Sequence, residues 1–133
     1  MSELEKLAEH IQAGLGPSVA GVSFQYGELT LEANSGMIET VIKFLRDDPG
    51  CAFSQLIDLC GVDYPERALR FDVVYHLLSM TKNMRIRVKV QAGEETQVPS
   101  ITGLFEAAAW FEREAVAMYG ISFAAPPDLG GLR

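Results

Sequence analysis

The spacing of apolar residues changes several times along the chain, and each change marks an element. Leu4, Leu7, Ala8 and Ile11 recur at helical spacing with Glu3, Glu5, Lys6 and Glu9 between them, and Gly14 and Gly16-Pro17 supply a stop. Val22, Phe24 and Tyr26 then alternate with Ser23 and Gln25, and beyond Gly27 the residues Leu29, Leu31 and Ala33 alternate with Thr30 and Glu32, which predicts a hairpin. Ile38, Val41, Ile42 and Leu45 make one stripe of a second helix, with Ser35 as its candidate cap and Asp47-Asp48-Pro49-Gly50 as its end. Phe53, Leu56, Ile57 and Cys60 repeat the helical spacing up to Gly61, so a short helix or turn is expected there.

Strict alternation follows. Phe71, Val73, Tyr75 and Leu77 face one side of a strand, and Arg70, Asp72, Val74, His76 and Leu78 the other. In the next strand Met84, Ile86, Val88 and Val90 oppose Arg85, Arg87 and Lys89. A loop at Met80-Thr81-Lys82-Asn83 sets Leu77 opposite Ile86 and His76 opposite Arg87, which joins the apolar faces. The polar run Ala92 to Gln97 reads as a loop, and Pro99 to Thr102 leads into a last helix capped by Ser100 or Thr102. On that helix Leu104, Ala108, Phe111, Ala115 and Met118 form the expected core stripe, with Tyr119 at its margin and Gly120 as the stop. The order of elements predicts an α/β fold of the α+β type, with helices packed on one face of a four-stranded, mainly antiparallel or mixed sheet. Residues 1–123 are expected to form a single domain and 124–133 a mobile tail.

A chain of 133 residues suits one domain. No segment approaches the roughly 20 apolar residues that span a bilayer, so membrane insertion is not expected. The acidic, amphipathic start Met1-Ser-Glu-Leu-Glu-Lys lacks the basic opening and apolar run of an export signal. A net charge of −7 opposes nucleic-acid binding, which rests on Lys and Arg neutralising phosphates. Cys51 and Cys60 match neither zinc nor iron–sulfur spacing and read as buried thiols.

No motif for nucleophilic catalysis or for a nucleotide-binding glycine loop is present, and neither His10 nor His76 has a second ligand at metal-binding spacing. Glu112 and Glu114 fall on opposite flanks of the core stripe, so they do not form a general acid/base pair; a small enzyme using one of them as base would need it in a closed cleft. Arg113 lies opposite the core stripe beside Trp110. Glu112, Arg113 and Glu114 are either a solvated helix face or, together with the off-stripe apolar Trp110 and Val116 and with Tyr119 at the stripe's margin, a contact with another subunit. The stripe Arg85, Arg87 and Lys89 has no interleaved aromatics for stacking RNA; it keeps a sheet face soluble or pairs with a neighbouring subunit.

Four segments then carry a resemblance: Asp63-Tyr-Pro65, Arg70-Phe-Asp-Val-Val-Tyr-His-Leu-Leu-Ser79, Val98-Pro-Ser-Ile101 and the stretch from Trp110 through Glu112-Arg113-Glu114 to Phe123. In that order they resemble the C-type subunit of proton-translocating NADH:quinone oxidoreductase, part of the peripheral arm of respiratory complex I. The tail departs from the family pattern: Ala117 stands where an acid is usual, and Ala125-Pro126-Pro127-Asp128-Leu129-Gly130-Gly131 where members read Gly-His-Pro-Asp-Leu-Arg-Arg. The resemblance implies an α/β domain that binds no cofactor of its own, while NAD, quinone and iron–sulfur clusters belong to the assembled complex. It further implies a non-catalytic assembly role on the cytoplasmic face of the inner membrane (the matrix side if mitochondrial). The partners would be a homologue of the D-type subunit and neighbouring peripheral-arm subunits, with Asp128 among the candidate contacts. The alternatives are the equivalent small subunit of a membrane-bound energy-converting hydrogenase, or a stand-alone binding domain that has lost its complex.

Overall fold

The computed structural model describes residues 2–124. The principal elements are α1 (Glu3–Leu15), β1 (Val19–Gln25), β2 (Glu28–Ala33), α2 (Ile38–Asp47), β3 (Gln55–Asp63), β4 (Phe71–Ser79), β5 (Met84–Ala92), β6 (Gln97–Pro99), α3 (Ala107–Tyr119) and β7 (Ser122–Ala124). Five strands form one mixed sheet in the order β1-β2-β5-β4-β3, antiparallel except where β2 lies beside β5, and β6 pairs with β7 in a separate parallel ribbon. The fold class is the expected one. Leu7 and Ile11 of α1, Ile42 and Leu45 of α2 and Ala108 and Ala115 of α3 share one core with Leu31, Val73, Tyr75, Leu77, Ile86 and Val88 of the sheet.

The helical stripe Ile38, Val41, Ile42 and Leu45 is fully buried, as its spacing requires. α1 starts on a capping box: Ser2 Oγ accepts from the Glu5 N–H and Glu5 Oε1 accepts from the Ser2 N–H. Gly14 lies under Phe44 of α2, where a Cβ would meet the ring at 2.4 Å, so a glycine there lets the two helices meet. Ser35 does not cap α2; it opens a single 3-10 turn, Ser35–Met37, and the α2 N-terminus has no side-chain cap.

The β1–β2 hairpin closes on Tyr26 and Gly27, both at positive φ, the requirement of a type I′ turn. β1 is an edge strand, and its apolar alternation is only partly covered: Val22 is half-buried, Phe24 and Tyr26 exposed. β4 and β5 pair in the expected register, with Leu77 opposite Ile86, His76 opposite Arg87 and Met80 to Asn83 as the loop.

Three further expectations are corrected. The segment with apolar spacing from Phe53 to Cys60 is not helical; it enters the sheet as β3, the fifth strand. A bulge between Leu56 and Asp58 inserts one residue, so Leu56 and Leu59, opposite Leu77 and Tyr75, face the core although they are three apart. That bulge imitates a helical period. The last helix begins at Ala107, without a side-chain cap, and Ser100 and Thr102 precede it in a turn where the Leu104 and Phe105 N–H groups both donate to Ile101 O. Its inward face is Ala108, Glu112 and Ala115, while Leu104 and Phe111 are half-buried and Met118 is 71% exposed. The core stripe is therefore turned toward Glu112. Gly120, at φ +75°, ends the helix in the left-handed region as expected, its N–H donating to Val116 O.

Candidate functional site

α3 packs on the outer strand β3 because both surfaces are small. Gly61 lies under Tyr119 and Ile121, where a Cβ would stand 2.8 Å from the Tyr119 ring and from the Ile121 terminal methyl. Ala108 and Ala115 bring the α3 backbone close, and between them Glu112 points inward at 6% exposure. Both of its carboxylate oxygens are engaged: Ser100 Oγ donates to Oε1 at 2.7 Å and the Ile101 N–H to Oε2 at 2.9 Å. Ser100 Oγ also accepts the Thr102 N–H at 3.2 Å and lies 3.0 Å from Thr102 Oγ1. Burial pushes the Glu112 carboxyl above the ordinary glutamate value, and the Ile101 and Ser100 hydrogen bonds only partly offset it. The Tyr75 hydroxyl is buried without a hydrogen-bond partner among the described residues, and desolvation together with the Glu112 charge pushes its titration upward.

The network joins two of the sequence motifs, Val98 to Ile101 and Glu112-Arg113-Glu114. The other two motifs close the β3–β4 connection. Arg70 holds both oxygens of Asp63 at 2.9 and 2.7 Å and reaches Glu94 at 2.8 Å, while the Tyr64 N–H donates to Arg70 O. Arg67 bonds Asp72 at 2.6 Å and stacks 4.2 Å over the Tyr64 ring. Arg70 holds the Asp63 carboxyl below its ordinary range.

The predicted contact residues divide between interior and surface. Trp110, at 59% exposure, and Val116, at 46%, are exposed on α3 with Arg113 and Glu114. Tyr119 is half-buried against Gly61, and Glu112 belongs to the interior, which removes it from the surface of this chain. Arg85 is exposed on the open sheet face; Arg87 donates to Thr30 Oγ1 at 3.2 Å and lies 3.6 Å from the Glu28 carboxylate, and Lys89 lines a shallow hollow with Glu32 and Asp72. The stripe is thus partly paired within the sheet. Asp128 and the rest of the tail from residue 125 lie outside the described residues.

The arrangement is suited to holding structure. A general base must reach its substrate's proton, and Glu112 is buried with one hydrogen bond already on each carboxylate oxygen. Glu114, on the exposed side of the helix, shares no cleft with it. Ser100 and Ile101 as partners of Glu112 escaped the sequence reading, yet Glu112 stands four residues after Ala108 and three before Ala115, the spacing of one helix face. Among the described residues no helix is long and apolar enough to cross a membrane.

Residues 31–132 match the family described as respiratory-chain NADH dehydrogenase, 30 Kd subunit. The C-type subunit of NADH-quinone oxidoreductase from Maricaulis maris is 57% identical over 130 residues, 97% of this chain and 65% of that protein. Its counterpart in Caulobacter vibrioides is 58% identical over 130 residues, 97% of this chain and 66% of that protein. The chain thus spans just under two thirds of the length of these relatives. Among solved structures, a chain of the membrane-bound sulfane sulfur reductase, an archaeal respiratory membrane complex, superposes with a TM-score of 0.80 over 98% of this chain and 75% of that one. At 16% identity that likeness concerns the fold alone.

Proposed function

The chain belongs to the respiratory-chain NADH dehydrogenase 30 Kd subunit family, the C-type subunits of NADH-quinone oxidoreductases, and from this premise we propose that it is a non-catalytic assembly subunit. It docks onto a homologue of the D-type subunit and neighbouring peripheral-arm subunits, on the cytoplasmic face of the membrane, and supports electron transfer from NADH to quinone by holding the subunits that carry the redox centres. The observation that carries this reading is the division of labour on α3. Glu112 is fully committed to the interior, while Trp110 and Val116 stand exposed with Arg113 and Glu114 around them, the mix of aromatic, apolar and charged groups that anchors an interface. The names of the relatives favour this reading over the hydrogenase alternative.

Calorimetry of this chain with a purified D-type homologue tests it, with Trp110→Ala alongside. Loss of a central aromatic anchor is expected to weaken binding by roughly 30-fold or more, the equivalent of a 2 kcal/mol hot spot. If the unaltered chain fails to bind, the stand-alone domain is the better reading; equal binding by the variant removes α3 from the interface.

A further inference from the structure

A cluster away from α3 and the buried carboxylate has the composition of a metal centre. His10 of α1, Asp48 at the end of α2 and Cys51 in the turn that follows bring one ligand atom each to within 4.8 Å of one another. We propose that His10 Nε2, the Asp48 carboxylate and Cys51 Sγ bind a borderline-soft divalent cation of the zinc class, with the fourth position open to solvent. This proposal is independent of the assembly role.

The turn that carries two of the ligands is built tightly. The Cys51 and Ala52 N–H groups both donate to Asp48 O at 2.9 Å, the Phe53 N–H donates to Leu45 O at 2.8 Å, and Ala52 is held at φ +54°. The Gly50 N–H donates to Asp48 Oδ2 at 2.9 Å, which aims the carboxylate. Gly50 also leaves the ligand side of the imidazole clear: a Cβ there would stand 2.8 Å from His10 Nε2 and 3.0 Å from Asp48 Oδ2. Cys51 is fully buried and the His10 side chain 47% exposed, so the centre is closed behind the sulfur and open in front of the histidine. His10 also borders a cavity of about 190 Å³, lined by Glu3, Gly50 and Lys82 among others, through which solvent reaches the imidazole.

Ligand atoms around a tetrahedral zinc ion, with bonds of about 2.0 Å to N and O and 2.3 Å to S, sit roughly 3.3–3.6 Å apart. His10 Nε2 and Asp48 Oδ2 are 2.6 Å apart, so loading widens this pair by less than about 1 Å, within the reach of an exposed histidine rotamer. Two protons leave as the site loads. The Cys51 thiol gives its proton to solvent as the S–metal bond forms, and the Nε2–H that His10 directs at Asp48 also passes to solvent while Nδ1 carries the ring's proton, so that imidazole and carboxylate each donate a lone pair. Thiolate and carboxylate then supply two negative charges to one divalent cation. A thiolate and an imidazole in the ligand set select zinc or cobalt over magnesium and calcium, which take oxygen ligands.

The test is titration of the chelator-treated, reduced full chain with Co²⁺ followed by visible absorption, then displacement by Zn²⁺. One equivalent of cobalt is expected to give a thiolate-to-cobalt band together with tetrahedral d–d bands, lost on adding zinc. Cys60→Ser is expected to behave like the unaltered chain, and Cys51→Ser to lose the thiolate band. His10→Gln changes a half-exposed side chain, so folding can be checked by circular dichroism; its affinity is expected to fall at least tenfold, since loss of even an outer-shell partner costs about that much. Absence of the band in the unaltered chain, or equal affinity in folded His10→Gln, overturns the site and leaves an ion pair beside a core thiol only.

Discussion

Replacing Glu112 separates its hydrogen bonds from its charge. In Glu112→Ala the Ile101 N–H, on a fully buried residue, loses its acceptor. An unsatisfied buried donor costs about 1–3 kcal/mol, and the deleted methylene adds about 0.8. Ser100 loses less, because its hydroxyl can turn to Thr102 Oγ1 at 3.0 Å. Removing a desolvated charge returns part of the loss, which leaves a net destabilisation of about 2 kcal/mol. Glu112→Gln keeps the geometry: the amide oxygen accepts from Ile101 and the amide nitrogen donates to Ser100, so it should stay within about 1 kcal/mol of the parent. Urea unfolding followed by circular dichroism measures both, and a domain of this length should show a Tm loss for Ala of roughly 8 °C. The pH dependence gives an independent reading. The folded protein holds the Glu112 proton at pH values where the unfolded chain, at about 4.5, has released it. Stability from this group is therefore complete below 4.5 and lost as pH rises through the higher folded value. The stability of Gln relative to Glu should accordingly grow across that window and level off above it, while contributions from other carboxylates cancel in the difference. Equal stability of Ala and Gln, with a flat difference against pH, would refute the clamp.

Gly61→Ala places a methyl against Tyr119 and Ile121 and should cost about 1–3 kcal/mol in chemical denaturation, from overpacking under α3. Tyr75→Phe removes a buried hydroxyl without a partner among the described residues; its expected effect ranges from neutral to about 1 kcal/mol of stabilisation, and a loss larger than that would show a bound water or other partner. Phe111→Ala should cost about 1–3 kcal/mol, below the full range for a buried phenylalanine, because the ring is half-buried. Trp110→Ala should leave thermal unfolding within about 0.5 kcal/mol of the parent, so that any loss of partner binding reports on the surface alone.

Elements with one unbroken period were legible: the α2 stripe, the β4–β5 register and the Gly120 stop all follow from spacing and glycine conformation. β3 was not, because its bulge gives Leu56 and Leu59 a separation of three, which spacing alone assigns to a helix. The ribbon of β6 and β7 was hidden by its length, three residues in each strand. Hydrophobicity does not locate the inward face of α3. The small Ala108 and Ala115 flank Glu112 on the inward face, and the large apolar Trp110 and Met118 are turned outward. A glutamate on the inward face is legible only once its partners are known, and Ser100 and Ile101 precede it by 12 and 11 residues. The gathering of His10, Asp48 and Cys51 depends likewise on how α1 meets the end of α2.

The Glu112-Arg113-Glu114 triplet gains its sense from this geometry. Successive residues on a helix are 100° apart, so one inward position necessarily turns its neighbours toward the flanks and the surface. Glu112 ties α3 to Ser100 and Ile101, and the Ser100 N–H donates at 2.9 Å to Ala124 O at the end of β7. One serine therefore links the helix, through its hydroxyl, to β7, through its amide. The face proposed for docking, with Trp110 and Arg113, is therefore fixed to the β6–β7 ribbon by a short set of hydrogen bonds. Loosening Glu112, as in Glu112→Ala, should therefore weaken the proposed docking on α3 although its side chain lies inside the fold, and binding by folded Glu112→Ala equal to the parent's would show that the α3 surface needs no such anchor.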